Sequence, residues 1–263
     1  MSGERRRILA MGGGGFTMQE RSAALDKLVL SLTGKRVPRI CFLPTASGDP
    51  REQATRFYER FGALPCEPSI LSLFHLGRDR IDPIAHLLAQ DAIYVGGGSM
   101  RNMLAVWREH GVDAAMRTAW QSGVVLAGLS AGAMCWFEAG VSMSGGKPEV
   151  VSCLGVLRGS LSVHLDGEPG RYPVYRAAVA AGEIPGGYAA DDFAALVFAG
   201  TELLECVASR PGARVLRVSP DGDRGVREER LPVRLLASDA GGVEVADAVA
   251  ELRALRAGRE RWR

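Results

Sequence analysis

The chain is poor in several residue patterns, and each shortage removes a class of protein. Five cysteines occur among 263 residues, an odd number with no C-x-x-C pair, which argues against a disulfide framework and for the reduced thiols of a cytoplasmic protein. No apolar run approaches the length of a membrane span, and no apolar h-region precedes Gly12, so neither a membrane anchor nor a secretory signal is expected. Lysine is confined to Lys27, Lys35 and Lys147, and the formal net charge is only +2, which leaves no broad basic footprint for nucleic acid. Local basic clusters, Arg5-Arg6-Arg7 and the Arg253, Arg256, Arg259, Arg261 and Arg263 series on an expected terminal helix, read as solvated ends. Glycine- and proline-rich linkers are missing too, so residues 1–263 are expected to form a single α/β domain.

Short apolar runs alternate with helical patterns through the first half, the signature of a mostly parallel central sheet with helices on both faces. Strands are expected near Ile8 to Met11, Ile40 to Leu43, Ser69 to Leu73, Asp91 to Val95 and Val124 to Ala127. Leu25, Leu28, Val29 and Leu32 share one helical face, with Gly34 as a left-handed stop. Asp49, Pro50 and Glu52 read as the N-cap, first-turn proline and capping-box partner of the next helix. Met100, Met103, Leu104 and Trp107 form another core-facing stripe. Beyond Ser142 the sequence turns β-rich, with a turn at Pro220-Asp221-Gly222-Asp223, and antiparallel additions to the domain are expected there. Sites in open parallel sheets form beyond the carboxyl ends of strands, which ranks the loops Gly12 to Gly15, Pro44 to Gly48, Gly96 to Ser99 and Gly128 to Gly132.

The last of these carries the strongest signal. Gly128-Leu129-Ser130-Ala131-Gly132 lies between an apolar strand and a small-residue helix, Ala131 to Glu138, and a G-x-S-x-G turn in that setting exposes the serine oxygen above the sheet. A serine hydroxyl needs a base. Of the four histidines, His110 ends a helix before Gly111, His86 lies in a short helix after Asp82-Pro83, and His75 follows a strand. His164, at the end of Gly159 to Val163 and before the polar loop Leu165 to Arg171, is the best placed. Asp191-Asp192 precedes the apolar run Ala194 to Phe198; adjacent residues of an extended segment face opposite ways, so one of the two is expected to face His164. Asp166 and Glu138 are the reserve carboxylates. Gly96-Gly97-Gly98 can bring bare amides to a substrate at a helix start. Gly12 to Gly15 invites a nucleotide-binding reading, but no acidic residue stands at the end of the second strand, and no cofactor is expected.

Ile93-Tyr94-Val95-Gly96-Gly97-Gly98, Gly128 to Glu138, the His164 to Arg171 loop and Gly187 to Asp192 together resemble the peptidase E family of aspartyl dipeptidases, in the serine-peptidase group that also contains cyanophycinase. The resemblance implies a fold similar to class I glutamine amidotransferases and hydrolysis of dipeptides with an N-terminal aspartate, without metal. It implies Ser130 as nucleophile, His164 as base and Asp192 as third member, with Gly98 and Ala131 amides as the oxyanion hole. Arg171 would hold the substrate carboxylate, with Gly97 and Ser99 beside it. Two positions depart from the family pattern: Ser99 replaces an asparagine, and Phe193 replaces a glycine after the acidic pair. The implied ligand is a small peptide. A homodimer is allowed for, although no residue pattern selects an oligomeric state. The alternatives are a hydrolase of β-aspartyl or cyanophycin-derived peptides, a non-catalytic binding protein of the same fold, and a nucleotide-binding protein using Gly12 to Gly15.

Overall fold

Alternation along the first strand sets the layering. The computed structural model describes residues 6–18 and 22–237; the expected helix bearing Arg253 to Arg263 lies outside the described residues, as does Arg5. In β1 (Arg7–Met11), Ile8 and Ala10 face one core, while Leu9 and Met11 face another. β2 (Arg39–Leu43), β3 (Glu67–Ile70), β4 (Ala92–Val95) and β5 (Val125–Leu129) are nearly all buried where they are central, as strands covered on both faces must be. On one face lie α1 (Ala24–Ser31) and α2 (Arg51–Phe61). On the other lie α3 (Leu76–Asp79), α4 (Pro83–Leu88), α5 (Met100–Glu109) and α6 (Val112–Gln121), packed through Leu76, Leu87, Met103, Trp107 and Met116. The predicted Met100, Met103, Leu104 and Trp107 stripe is buried throughout.

The chain continues through α7 (Ala131–Met134), β6 (Ala139–Ser142), β7 (Glu149–Ser152), β8 (Ser160–Ser162), α8 (Arg171–Ala180), β9 (Gly187–Ala190), β10 (Ala194–Ala199), β11 (Glu202–Ala208), β12 (Val215–Pro220), β13 (Val226–Arg230) and β14 (Val233–Leu235). Two sheets result. The eight-stranded sheet has the order β14-β11-β10-β1-β5-β4-β2-β3, and β10 is its one strand running against the rest. The six-stranded sheet, β13-β12-β9-β8-β6-β7, is mixed. It buries Val141, Ala189 and Val218 against Tyr175 and Val179 of α8, and sends Leu161, Ala190 and Val215 into the main core. The antiparallel additions expected after Ser142 therefore divide between an extension of the central sheet and a separate sheet.

Four local expectations need correction. The helix after Ser130 is one turn long rather than reaching Glu138, because the carbonyls of Cys135, Trp136 and Phe137 accept from the amides of Leu154, Leu157 and Gly155 instead of from a continuing helix. Asp49 does not cap α2. It adopts φ 55, its carboxylate accepts from Ser72 Oγ at 2.6 Å, and the N-cap position falls to Pro50. The third strand begins two residues earlier than expected and includes Pro68, which is tolerated because β3 is an edge strand. Arg6 is not simply solvated but lies over the Trp120 ring, 4.7 Å from its centre. Gly34 does take the left-handed conformation after α1.

The consequence of this topology is one crowded edge. β1, β2, β4 and β5 all end there, leading into Gly12, Pro44, Gly96 and Ser130, and the reversed β10 begins there, preceded by Asp191 to Phe193. Phe16 fixes the first of these loops: its ring lies edge-on to Phe42 and Tyr94, with centroids 5.0 and 5.2 Å apart, in an aromatic cluster with Phe57 and Phe61. Burying such a ring contributes roughly 1.5–3 kcal/mol.

Candidate active site

Ser130 stands at the turn between β5 and α7 with φ 54 and ψ −117, a strained conformation for an L-residue. Both glycines of the motif are demanded by close approach: a Cβ on Gly128 would lie 2.2 Å from the Gly132 carbonyl oxygen, and one on Gly132 would lie 2.4 Å from that of Val95. The turn leaves the hydroxyl free to meet histidine. Ser130 Oγ is 2.9 Å from His164 Nε2, and His164 Nδ1 is 2.5 Å from Asp192 Oδ1. With Nδ1–H donating to Asp192, Nε2 keeps its lone pair for the serine hydroxyl. The imidazole and the carboxylate are each 14% exposed, which largely shields the pair from water.

Several backbone bonds hold this row. His164, just past β8, adopts φ 53, and its carbonyl accepts from the amides of Gly167 and Glu168 at 3.1 and 2.8 Å, closing the polar loop back over it. The Asp192 amide donates to Asp166 Oδ1 at 2.8 Å. Asp191, just before the turn at Asp192 and Phe193, points elsewhere and takes a two-pronged interaction from Arg214 Nε and Nη2 at 2.8 and 3.0 Å. Of the two aspartates, Asp192 meets the histidine and Asp191 serves the fold; Asp166 braces the backbone, and Glu138 is engaged elsewhere, with the Gly159 amide.

The remaining histidines lie apart from Ser130. His75 contacts Ser72, His86 contacts Ser69 and Gln90, and His110 terminates α5. Cys135, five residues past the serine, is buried, donates to the Gly132 carbonyl, and has its thiol acidity pushed well down the scale by that burial, so no thiolate competes.

The loop after β4 lies against the serine: a Cβ on Gly97 would be 3.2 Å from Ser130 Cβ. Gly98 has φ 137 and packs on Ala46, where a Cβ would lie 2.3 Å from the Ala46 carbonyl oxygen. The amides of Gly97, Gly98 and Ala131 have no acceptor among the described residues, which leaves them available to an incoming oxygen. Ser99 is differently occupied. Its amide donates to the Ala46 carbonyl at 2.7 Å and its Oγ caps α5 by accepting from the Asn102 amide at 3.2 Å, which leaves the hydroxyl proton to be donated elsewhere.

Arg171 opens α8 and is only 4% exposed. Its Nη2 lies 2.7 Å from Glu168 Oε2, while Nε and Nη1 are buried without a hydrogen-bond acceptor. Burial pulls the guanidinium below its ordinary value, and Glu168 and Asp192 work against that.

One part of the site went unread in the sequence. The Gly12 to Gly15 run, considered there for nucleotide phosphates, is instead the floor beneath the histidine and aspartate. A Cβ on Gly13 would sit 2.0 Å from Asp192 Oδ1 and 3.0 Å from His164 Nδ1, and one on Gly12 would sit 2.2 Å from the Asp191 carbonyl oxygen. The Gly12 amide donates to Ala194 and the Phe193 amide to Gly13. Gly13→Ala is accordingly expected to push Asp192 off the imidazole and lower kcat about a hundredfold, with far-ultraviolet circular dichroism preserved; steady-state kinetics beside a thermal melt would check this.

These elements define an α/β protein with a serine, histidine and aspartate aligned at the carboxyl edge of its sheet. The family model for peptidase family S51 matches residues 8–206, and the chain belongs to that family. It is thus a peptidase with the class I glutamine amidotransferase-like fold. The chain is 46% identical over 231 residues to the uncharacterized peptidase YgaJ of Bacillus subtilis strain 168, covering 88% of this chain and 99% of that one. A crystal structure of a peptidase from an acI-B1 Actinobacterium superposes with a TM-score of 0.68 at 18% identity, covering 88% of this chain and 96% of the other. A peptidase E protein from Listeria monocytogenes EGD-e superposes at 0.54 with 16% identity, covering 76% and 96%.

Proposed function

We propose that this chain is a serine-type dipeptidase that hydrolyses Asp-Xaa dipeptides through an acyl-enzyme on Ser130. The observation that carries this reading is the unbroken row from Ser130 Oγ through His164 to Asp192, at 2.9 and 2.5 Å, beside amides with no acceptor of their own. Ser130 Oγ attacks the peptide carbonyl as His164 Nε2 takes its proton, and the imidazolium is stabilised by Asp192. The developing oxyanion is received by the Gly98 and Ala131 amides, at the start of α7. His164 returns the proton to the leaving amine, and water repeats the sequence on the ester.

For the acidic side chain of the substrate, Arg171 offers a buried positive charge and two donors without an acceptor, Nε and Nη1, either of which can bond a carboxylate oxygen. The five free cysteines suit a cytoplasmic setting. No helix among the described residues is long and apolar enough to cross a membrane.

The test is release of amino acids from Asp-Xaa, Glu-Xaa, Ala-Xaa and β-Asp-Xaa dipeptides with a chelator present, together with mass analysis after a serine-directed phosphonate. Cleavage confined to Asp-Xaa, with the phosphonate on Ser130, is expected. Cleavage confined to β-Asp-Xaa would move the assignment to an isoaspartyl or cyanophycin-fragment hydrolase. A folded protein that neither cleaves nor labels would be a binding protein of the same fold.

A further inference from the structure

The position directly after the acid of the row is occupied in an unusual way. Phe193 has φ 65, a left-handed backbone that an aromatic side chain adopts only when its surroundings enforce it. Those surroundings are specific. The guanidinium carbon of Arg210 lies 3.3 Å from the centre of the Phe193 ring. The ring also lies close to the glycine floor, where a Cβ on Gly14 would come within 3.0 Å of Phe193 Cδ1. The Phe193 amide donates to the Gly13 carbonyl at 3.1 Å, and its carbonyl accepts from the Ser209 amide at 2.9 Å. The residue is therefore held through its ring and through both backbone polar groups.

Its neighbour is held less completely. Asp192 has one backbone bond, to Asp166, and one side-chain bond, to His164. The direction of the Asp192 carboxylate depends on the peptide plane that it shares with Phe193. Glycine at 193 would make the left-handed conformation free of steric cost and keep the backbone bonds to Gly13 and Ser209, but with no ring to pack it would leave other conformations more accessible beside Asp192. A ring held against the Arg210 guanidinium and packed near Gly14 selects one of them.

We propose that Phe193 is a positioning residue for this peptidase, the ring clamped by Arg210 fixing the left-handed turn that aims the Asp192 carboxylate at His164. The proposal rests on the reading of Ser130, His164 and Asp192 as a catalytic row. Cation–π attraction between guanidinium and ring supplies the clamp. The role is specific to this chain's aromatic residue and requires no contact between Phe193 and substrate.

The experiment compares the native protein with Phe193→Gly, Phe193→Tyr and Arg210→Met. Two readouts are used: the proton resonance of His164 Nδ1–H, observed in the far-downfield region without substrate, and kcat and KM on a cleaved dipeptide. Phe193→Gly is expected to broaden or abolish the resonance and to lower kcat about tenfold while KM stays within about twofold, since a loosened acid impairs chemistry rather than binding. Arg210→Met is expected to give a smaller loss of the same kind, and Phe193→Tyr to retain both signals. An unchanged resonance and unchanged kcat in Phe193→Gly would overturn the proposal and make the ring mere filling. Should no dipeptide be turned over by the native protein, the resonance alone decides, so failure of the dipeptidase reading is distinguishable from failure of the clamp.

Discussion

Ser130→Ala is expected to reduce kcat on a cleaved dipeptide by about a million-fold while the protein stays folded and still binds the peptide. The substitution removes one oxygen from a side chain that is only half-buried, so little packing is lost and the turn at φ 54 accepts alanine as it accepts serine. What disappears is the atom that forms the ester. On the proposed mechanism His164 then has no serine proton to take. Residual turnover of about a thousand- to ten-thousandfold over water is what binding and the Gly98 and Ala131 amides would supply alone. Single-turnover kinetics with a denaturing quench would show the acyl-enzyme in the native protein and its absence in the variant. Turnover within tenfold of native would remove Ser130 from the reaction.

The second large effect distinguishes two adjacent residues. Asp192→Asn is expected to cost about ten-thousandfold in kcat, because an amide facing Nδ1 no longer holds the imidazole in the tautomer that leaves Nε2 basic, nor stabilises its cation. Asp191→Asn should leave kcat within severalfold, since that carboxylate is turned away to Arg214. Its cost falls on stability instead. Weakening a charged pair whose acid is almost fully buried and whose arginine is 42% exposed is expected to lower stability by roughly 1–3 kcal/mol, read as a lower Tm. The reverse pattern, with a loss of rate in Asp191→Asn and native kinetics in Asp192→Asn, would exchange their roles.

How far the sequence disclosed all this depends on the range over which each feature is determined. The central strands were legible because a strand buried on both faces is written as a continuous apolar run, and the turn at Ser130 was legible because Gly128 and Gly132 are required by contacts a few residues away. His164 was legible from its place between an apolar segment and a polar loop. The function of Gly13 was not, because nothing near residue 13 records that Asp192 and His164 will lie against it. The same limit hid the early end of α7, after which the carbonyls of residues 135 to 137 are claimed by residues 154 to 157, and the release of Asp49 from capping by Ser72, two residues past the neighbouring edge strand. The separate six-stranded sheet was equally hidden, since the runs that build it show pairing tendency but not partners. Ser99 shows a duty the sequence reading did not name: its Oγ caps α5 by accepting from the Asn102 amide.

The reversed strand β10 also determines when the row at the sheet edge is completed. β1 sits in the middle of the eight-stranded sheet and finds its second neighbour only when β10 inserts beside it. That insertion brings Asp192 over Gly13 and closes a loop of roughly 180 residues. A chain emerging from the ribosome can complete β1 to β5 and the serine turn long before residues 187 to 208 exist. In that interval the row from Ser130 through His164 lacks Asp192. Completion of that row is thus a late event of synthesis, with the closing of the sheet.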